Sequence, residues 1–475
     1  MRTYLFYDLE TTGLNSCFDQ VLQFAAIRTN LNLSEIENIS IRVQLRSDII
    51  PTPEAMITHR IPISELLSGS CEYEAICRIH ELFNKPGTIS IGFNNFGFDD
   101  EFLRFSFYRN LLNPYSHQYA NECGRMDILP IIVIYKLFKP EVLIWPVINQ
   151  KPSFKLEYIA SANAIDCGRA HDAIADVRAT IAIAKVLHHE NKMWDYIISY
   201  FEKKIDKERI DNLPFVMHSD FGHHKIGLLI DLRSGHERNY VLPVLCIGHS
   251  KPYSNQSLWL QLDTMELENC KQDTIPECSR VIRKRYGEPA IILAPHERFW
   301  KILNPERRKQ VEKNITWCKE HLDIFHKIIM YYQAFEYPWI PNVDVDASLY
   351  QDGFFTDQES RFFARFHSYP LEKKCFMLKE CPSQRSNLLA ERILIRNYKD
   401  KLTNDLHLSA QEYLKQIYAA NDNYICVDYT GQKRKTPPKV LTEIETLINS
   451  KTLDDQQIQL LHELRLFVNQ NLKSL

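Results

Sequence analysis

The chain has 475 residues, and 57 Lys and Arg against 60 Asp and Glu leave a formal net charge of −3. A composition of 45% hydrophobic and 25% charged residues excludes wholesale disorder, and only 14 glycines exclude a collagenous or Gly-rich chain. The length suggests about three domains, and near-neutral charge means that any basic footprint for nucleic acid must be local. The longest apolar run, Ile128 to Tyr135, contains Pro130 and falls well short of the ~20 residues that span a bilayer. The N-terminus reaches an acid at Asp8, so no secretory leader is expected. Twelve cysteines without a C-x-x-C pair predict reduced thiols in a cytoplasmic protein rather than a zinc site or disulfide staples.

In chain order, strands are predicted at Thr3–Leu9, Val21–Arg28 and Ile39–Leu45, separated by turn-rich links short enough for an antiparallel meander. A helix follows at Tyr73–Phe83, a buried strand at Thr88–Gly92 and a long aromatic helix from Asp99 to Leu112. Helices at Ile128–Phe138, Phe154–Asn163 and Asp172–His188 complete an α/β region of roughly 190 residues. β-rich runs at Lys225–Leu232, Tyr240–Ile247 and Leu258–Leu262 suggest a small barrel or sandwich. A helix over Glu306–Gln333 precedes a Pro-punctuated linker, Tyr337–Val345, after which the chain reads as mostly helical with an interruption at Asn421–Lys439. The expected domains are therefore 1–191, 192–345 and 346–475.

The first strand ends Asp8-Leu9-Glu10-Thr11-Thr12-Gly13. Alternation puts Phe6, Asp8 and Glu10 on one face and Leu5, Tyr7 and Leu9 on the other. Two carboxylates on one face repel unless a cation lies between them, and hard oxygen ligands suit Mg²⁺ or Mn²⁺. Taken alone the pattern is common at solvated strand ends. A second acid stands in Gly92-Phe93-Asn94-Asn95-Phe96-Gly97-Phe98-Asp99-Asp100, where a buried strand turns into a helix; either aspartate could simply cap that helix. A third group, His171-Asp172-Ala173-Ile174-Ala175-Asp176, opens the last helix of the region, with Asp172 as N-cap and Asp176 beside the apolar line through Val177. His171 by itself reads as a surface histidine. In combination, Asp8, Glu10, Asp99, Asp176 and His171 supply what two-metal phosphodiester hydrolysis requires: carboxylates for two divalent ions and a base for the attacking water.

These three motifs resemble those of the DEDDh 3′→5′ exonucleases. Further stretches, among them Gln23-Phe24-Ala25-Ala26-Ile27-Arg28-Thr29, Phe107-Tyr108-Arg109-Asn110, Pro152-Ser153-Phe154 and, beyond residue 195, Leu349-Tyr350 with Gly353-Phe354-Phe355, are similar to a bacterial branch of that family over nearly the whole chain. The resemblance implies an RNase-H-like exonuclease domain, a Src-homology-3-like small β-barrel and a helical C-terminal extension. It implies processive 3′→5′ hydrolysis of single-stranded DNA to 5′-mononucleotides, in repair and recombination. Asp8, Glu10 and Asp176 would ligate one Mg²⁺, with Asp8 and Asp99 toward a second, Mn²⁺ able to substitute, and His171 as general base. Glu10, Arg104, Tyr115, Tyr119 and Lys155 fall on substrate-contacting positions. Lys155 replaces an arginine of the family, exchanging a bidentate fork for a point charge, and Val133 stands where another arginine is expected. Lys139, in Lys139-Pro140-Glu141, matches a position that docks the acidic tail of single-stranded-DNA-binding protein. A monomer is the default. The alternatives are a DEDDh exoribonuclease and, in a different class, a single-strand-binding scaffold on an inactive nuclease core.

The segment 93–119 carries nine aromatic residues, where average usage predicts about three. Helical spacing assigns most of the phenylalanines to the core, leaving Tyr115 and Tyr119 as candidates for base stacking. The basic run Arg280, Arg283, Lys284, Arg285 reads as a solvated helix face, with a DNA-lining role as the alternative. Lys433-Arg434-Lys435 reads as a solvated loop. No H-E-x-x-H zincin motif, phosphate-binding P-loop or G-x-S-x-G elbow is present.

Overall fold

A computed structural model describes residues 1–165, 168, 172–418, 426–450 and 452–473. Strands β1 (Thr3–Thr11), β2 (Val21–Thr29) and β3 (Glu35–Arg42) are followed by helices α1 (Pro53–His59), α2 (Ile63–Leu66) and α3 (Glu72–Asn84). Then come β4 (Thr88–Gly92), α4 (Asp99–Arg109), β5 (Gly124–Asp127), α5 (Ile128–Phe138), the ribbon β6 (Val147–Ile148) and β7 (Lys151–Pro152), α6 (Leu156–Ala162) and α7 (Ala173–His188). The chain packs as two compact units, one of Met1–Arg125, Cys167–Arg178 and Trp339–Leu475, the other of Met126–Asp166 and Ala179–Pro338. No helix among the described residues is long and apolar enough to cross a membrane.

The first unit is organised by a sheet in the order β3-β2-β1-β4-β5. β1, β2 and β3 form the expected antiparallel meander, and β4 joins β1 in parallel, pairing Thr3 with Thr88 through Phe6 with Ile91. The β1–β2 register sets Asp8 opposite Ala25 and Glu10 opposite Gln23, small or neutral partners that leave the acidic face unopposed by bulk. β3 begins earlier than the apolar pattern suggests; its exposed Glu35–Asn38 half is the solvated edge of the sheet, where periodicity carries no burial signal. α4 stops at Arg109 rather than Leu112, because Leu111 takes a positive φ of 59°. Its phenylalanines 102, 105 and 107 and Tyr108 are fully buried, as helical spacing predicts. α1 and α2 escaped the sequence reading. α1 opens with Pro53 at its first turn and Thr52 as cap, whose hydroxyl accepts from Ala55 N at 3.3 Å.

The C-terminal segment belongs to this same unit. One core cluster joins Phe105, Tyr108 and Tyr73 to Phe362, Phe366, Leu389 and Ile393, and a second joins Leu45, Ile49 and Met56 to Val440, Ile444, Leu461 and Leu464. Between them runs a buried chain of ion pairs: Arg46 to Asp48 (2.9 Å) and Glu72 (2.6 Å), Arg109 to Glu72 (3.2 Å), and Arg396 to Asp48 (3.0 Å) and Asp346 (2.5 Å). Arg434, expected in a solvated loop, is 8% exposed and leans on Phe18, its guanidinium 4.7 Å from the ring.

In the second unit, α8 (Asn191–Ile198) and α9 (Lys203–Asp211) precede β8 (Phe215–Ser219), β9 (Gly222–Ile230), β10 (Val241–His249), β11 (Gln256–Gln261), β12 (Val281–Arg285) and β13 (Ile291–Leu293). The sheet order is β12-β11-β10-β9-β13, with β8 paired to β9. All these pairings are antiparallel, and the sheet buries Leu245, Leu258 and Leu260 in one core cluster and Trp259 in another. The basic run 280–285 is thus an edge strand, not a helix face. Alternation turns Lys284 inward, where it pairs with buried Asp206 at 2.5 Å. The single helix expected over 306–333 is two, Pro305–Glu320 and Leu322–Ala334. They break at His321 (φ −118°, ψ 53°), whose Nδ1 bonds Trp317 O at 3.0 Å and whose ring stacks on the Trp317 indole. A one-residue break leaves the apolar periodicity nearly intact, so the pattern conceals it.

Candidate active site

β1 carries Asp8 and Glu10 on one face, α4 presents Asp99 from its first turn, and α7 presents Asp176 from its own. The four carboxylates come from three elements of the first unit and act on one another. Burial raises the Asp8 carboxyl well above the usual range, and Asp99, Glu10 and Asp176 push it further. Burial likewise raises Glu10, to about 9, with Asp176, Asp99 and Asp172 adding to the effect. No three His, Cys, Asp or Glu side chains among the described residues are closed to the geometry of a metal cage. The donor set is nonetheless all oxygen and all acidic, the chemistry that takes a hard divalent cation and that, without one, holds protons. His171 lies outside the described residues. Asp172 caps α7 as expected, its Oδ1 accepting from Ile174 N at 3.3 Å.

The two aspartates that open α4 divide their roles. Asp99 faces the carboxylate cluster. Asp100 is fully buried and turned away from it, accepting the Tyr7 hydroxyl at 2.6 Å and paired with Arg125. Burial alone would raise the Asp100 carboxyl, but the Arg125 guanidinium holds it below the ordinary value. The room that Gly13 leaves is needed by the chain itself. A β-carbon there would run into the Asp19 carboxylate and lie 2.7 Å from Thr52 Cγ2.

Arg104 is 4% exposed, paired with Glu101, bonded to Tyr350 Oη at 2.7 Å, and 5.3 Å from the centre of the Tyr115 ring. Tyr115 meets Phe354 edge-on at 5.5 Å, and Tyr119 is 68% exposed. Phe354, 81% exposed beside Tyr115, is a candidate stacking residue to which the sequence reading attached no role. Its signal was a bulky aromatic between Gly353 and the acidic start of the next helix, where a core residue is out of place. In the second unit, Lys155 is exposed at the start of α6, with Nζ 3.7 Å from Glu157 and 5.7 Å from the centre of the Tyr158 ring. Val133 is buried within α5 and offers no polar group. Lys139 is half-exposed, Nζ 3.2 Å from Glu190 and 3.7 Å from Glu141.

Comparison with known proteins gives these residues a context. A family model described as Exonuclease matches residues 5–184. Exodeoxyribonuclease I of Escherichia coli strain K12 is 31% identical over 384 residues, covering 75% of this chain and 77% of the relative. The Haemophilus influenzae protein of the same name is 30% identical over 401 residues, 78% and 81% of the two chains. The fold is similar to E. coli exonuclease I solved in complex with a dA16 oligonucleotide, with a TM-score of 0.85 at 24% identity and coverage of 99% and 100%. It is also similar to a moderately thermophilic exonuclease I from Methylocaldum szegediense, with a TM-score of 0.81 at 25% identity and coverage of 99% and 100%.

Proposed function

Because the chain belongs to the exodeoxyribonuclease I family, we propose that it removes 5′-mononucleotides from the 3′ end of single-stranded DNA, by two-metal-ion hydrolysis. The observation that carries this reading is the convergence of Glu10, Asp99 and Asp176 on Asp8, each of the three adding to the cost of ionising it. E. coli exonuclease I has been solved with both a zinc ion and single-stranded DNA, in keeping with dependence on a divalent metal. Here Asp8, Glu10 and Asp176 would hold one Mg²⁺, and Asp8 with Asp99 would face a second. Mn²⁺ shares the oxygen preference and would substitute. When bound, such ions lower the pKa of a bound water and stabilise the departing 3′ oxygen.

The chain's own residues do the rest. His171 is assigned as the general base that takes the water's proton, a role worth roughly 10²–10⁴ in rate. Tyr115 and Tyr119 offer ring faces to bases, and Arg104, Lys155 and Glu10 complete the substrate contacts. The 1–191 segment would carry the chemistry, with the 192–345 β-rich and 346–475 helical segments extending the grip on the strand. Lys139 would receive the acidic tail of single-stranded-DNA-binding protein, placing the enzyme in cytoplasmic DNA repair and recombination as a monomer.

The test is digestion of 5′-labelled single-stranded DNA, the matching duplex and the matching RNA with Mg²⁺. Wild type should shorten only the single DNA strand from its 3′ end. His171→Ala should lose about 10²–10⁴ in rate, and Asp8→Ala should be inactive. Preference for RNA would move the protein to the exoribonuclease branch, and binding without cleavage would make it a scaffold.

A further inference from the structure

Two consecutive residues of β1 meet two consecutive residues of α4. Asp8 faces Asp99 on the acidic side, and Tyr7, pointing to the opposite face of the strand, meets Asp100. The second contact is completed on every side. The Tyr7 hydroxyl donates to Asp100 Oδ1 at 2.6 Å, Asn95 Nδ2 donates to the Tyr7 oxygen at 3.1 Å, and Arg125 Nη1 pairs with Asp100 Oδ2. Arg125 also lies over the Phe96 ring, 4.4 Å from its centre, so the strand-to-helix loop is held with the helix start. Tyr7 is 3% exposed, Asn95 and Asp100 are 0%, and Arg125 is 8%.

The first turn of α4 is also held through Glu101, which accepts from the Tyr350 hydroxyl at 2.5 Å and pairs with Arg104, but the fully buried contacts are those to Asp100, the neighbour of Asp99. The N-cap position of α4 is Phe98, with φ −133° and ψ −75°, and no side chain caps it. A helix start without a side-chain cap has rotational freedom unless something else restrains its first turn, and Asp99 is the first residue of that turn. Buried ion pairs, moreover, are poor stabilisers compared with apolar residues of similar volume. The two polar groups gathered here on Asp100, with Asn95 behind one of them, therefore call for a reason beyond stability.

We infer that Tyr7, Asp100 and Arg125 are positioning residues: their hydrogen-bonded lock sets the distance and rotation at which Asp99 faces Asp8, and so the affinity of the carboxylate cluster for a divalent cation. This rests on the reading of Asp8 and Asp99 as metal ligands given above. None of the three positioning residues is among the residues assigned above to metal or substrate. The lock fixes the ligands as outer-shell partners do elsewhere, where their loss costs about 10–100-fold in metal affinity.

The experiment is a calorimetric Mn²⁺ titration of the intact chain, at a fixed pH and well below the melting temperature, for wild type, Tyr7→Phe, Asp100→Asn and Asp8→Asn. The Mg²⁺ concentration for half-maximal hydrolysis of single-stranded DNA and the KM for the strand are read in parallel. Tyr7→Phe, which deletes one oxygen and keeps the ion pair, should weaken Mn²⁺ binding about 3–10-fold with KM for DNA within twofold, and Asp100→Asn should weaken it about 10–100-fold. A Tyr7→Phe protein that melts earlier yet binds Mn²⁺ as wild type does would reduce the lock to ordinary core structure and overturn the inference. If Asp100→Asn fails to fold, Tyr7→Phe still decides. Asp8→Asn separates the two levels: unchanged Mn²⁺ binding there sinks the metal-site reading itself, whereas binding lost in Asp8→Asn and retained in Tyr7→Phe sinks only the lock.

Discussion

Single residues in this molecule show how burial, rather than residue type, decides chemistry. His117 is 1% exposed, packed edge-on against Phe83 and Phe107, and neither ring nitrogen has a hydrogen-bond partner among the described residues. Burial pushes its pKa down to about 3, and burial likewise lowers His59 to about 4. An unfolded histidine titrates near 6.5, so below that pH the unfolded chain binds protons that the native state refuses. Their stabilising effect is complete above about pH 6.5 and is lost as the pH falls toward the native values. Between pH 6.5 and 5, His117 alone should cost about 2 kcal/mol. Denaturant unfolding at pH 7 and pH 5 should show the loss, and His117→Phe, which suits the aromatic slot, should flatten the difference. An equal pH slope in that variant would place the effect elsewhere.

At the scale of elements, end chemistry explains much of what hydrophobic periodicity leaves open. The helix Asp357–Ser368 begins with a complete capping box: Thr356 Oγ1 accepts from Glu359 N at 3.2 Å, and Glu359 Oε2 accepts from Thr356 N at 2.9 Å. Glu359 is further held by Arg385 at 2.7 Å and Ser386 at 2.9 Å. Thr356→Ala should therefore destabilise the first unit by about 1 kcal/mol, the usual worth of such a cap, read as a lower midpoint in denaturant. No change would mean that the Glu359 contacts to Arg385 and the serines suffice alone. The same local view accounts for the misread run 280–285. Arg280, Arg283, Lys284 and Arg285 look like a charged helix face in one dimension, but β-pairing to Gln256–Leu260 alternates them. One of the four then becomes a buried partner for Asp206.

For the whole molecule, the consequential feature is that residues 339–475 complete the unit that holds the catalytic candidates. Both of its shared cores draw side chains from residues 1–125 and from the C-terminal segment. The ion-pair chain from Arg46 through Asp48 to Arg396 and Asp346 ties the same two stretches together. A chain ending at residue 338 should accordingly be insoluble or molten, with exposed apolar surface and with Asp48 deprived of Arg396. Asp48→Ala in the full chain, which removes the buried carboxylate that Arg46 and Arg396 share and leaves them only Glu72 and Asp346, should cost about 3–5 kcal/mol. A soluble, cooperatively melting 1–338 fragment would contradict the first expectation, and a wild-type midpoint for Asp48→Ala the second.

The four carboxylates that the structure brings together could be picked out in the sequence because they sit at element ends that the sequence itself marks. Alternation in β1 puts Asp8 and Glu10 on one face, the strand-to-helix turn before Asp99 is rich in Gly and Asn, and Asp172 announces the helix bearing Asp176. Those signals are local, as are the meander and the core phenylalanines of α4. The remaining features depend on partners far away in the chain. Nothing near Asp100 or Tyr7 foretells that they meet each other and Arg125, and nothing near Lys284 foretells Asp206. The apolar stripes of the C-terminal helices say only that something covers them, not that residues 45–108 do. The sequence alone determined the meander, the helices that bear Asp99 and Asp176 and the acids at their ends, since each follows from neighbours within a few residues, but not α1, α2 or the edge strand β12. Tertiary structure alone decided which charges are buried against which, because a side chain's partner across space has no fixed spacing along the chain.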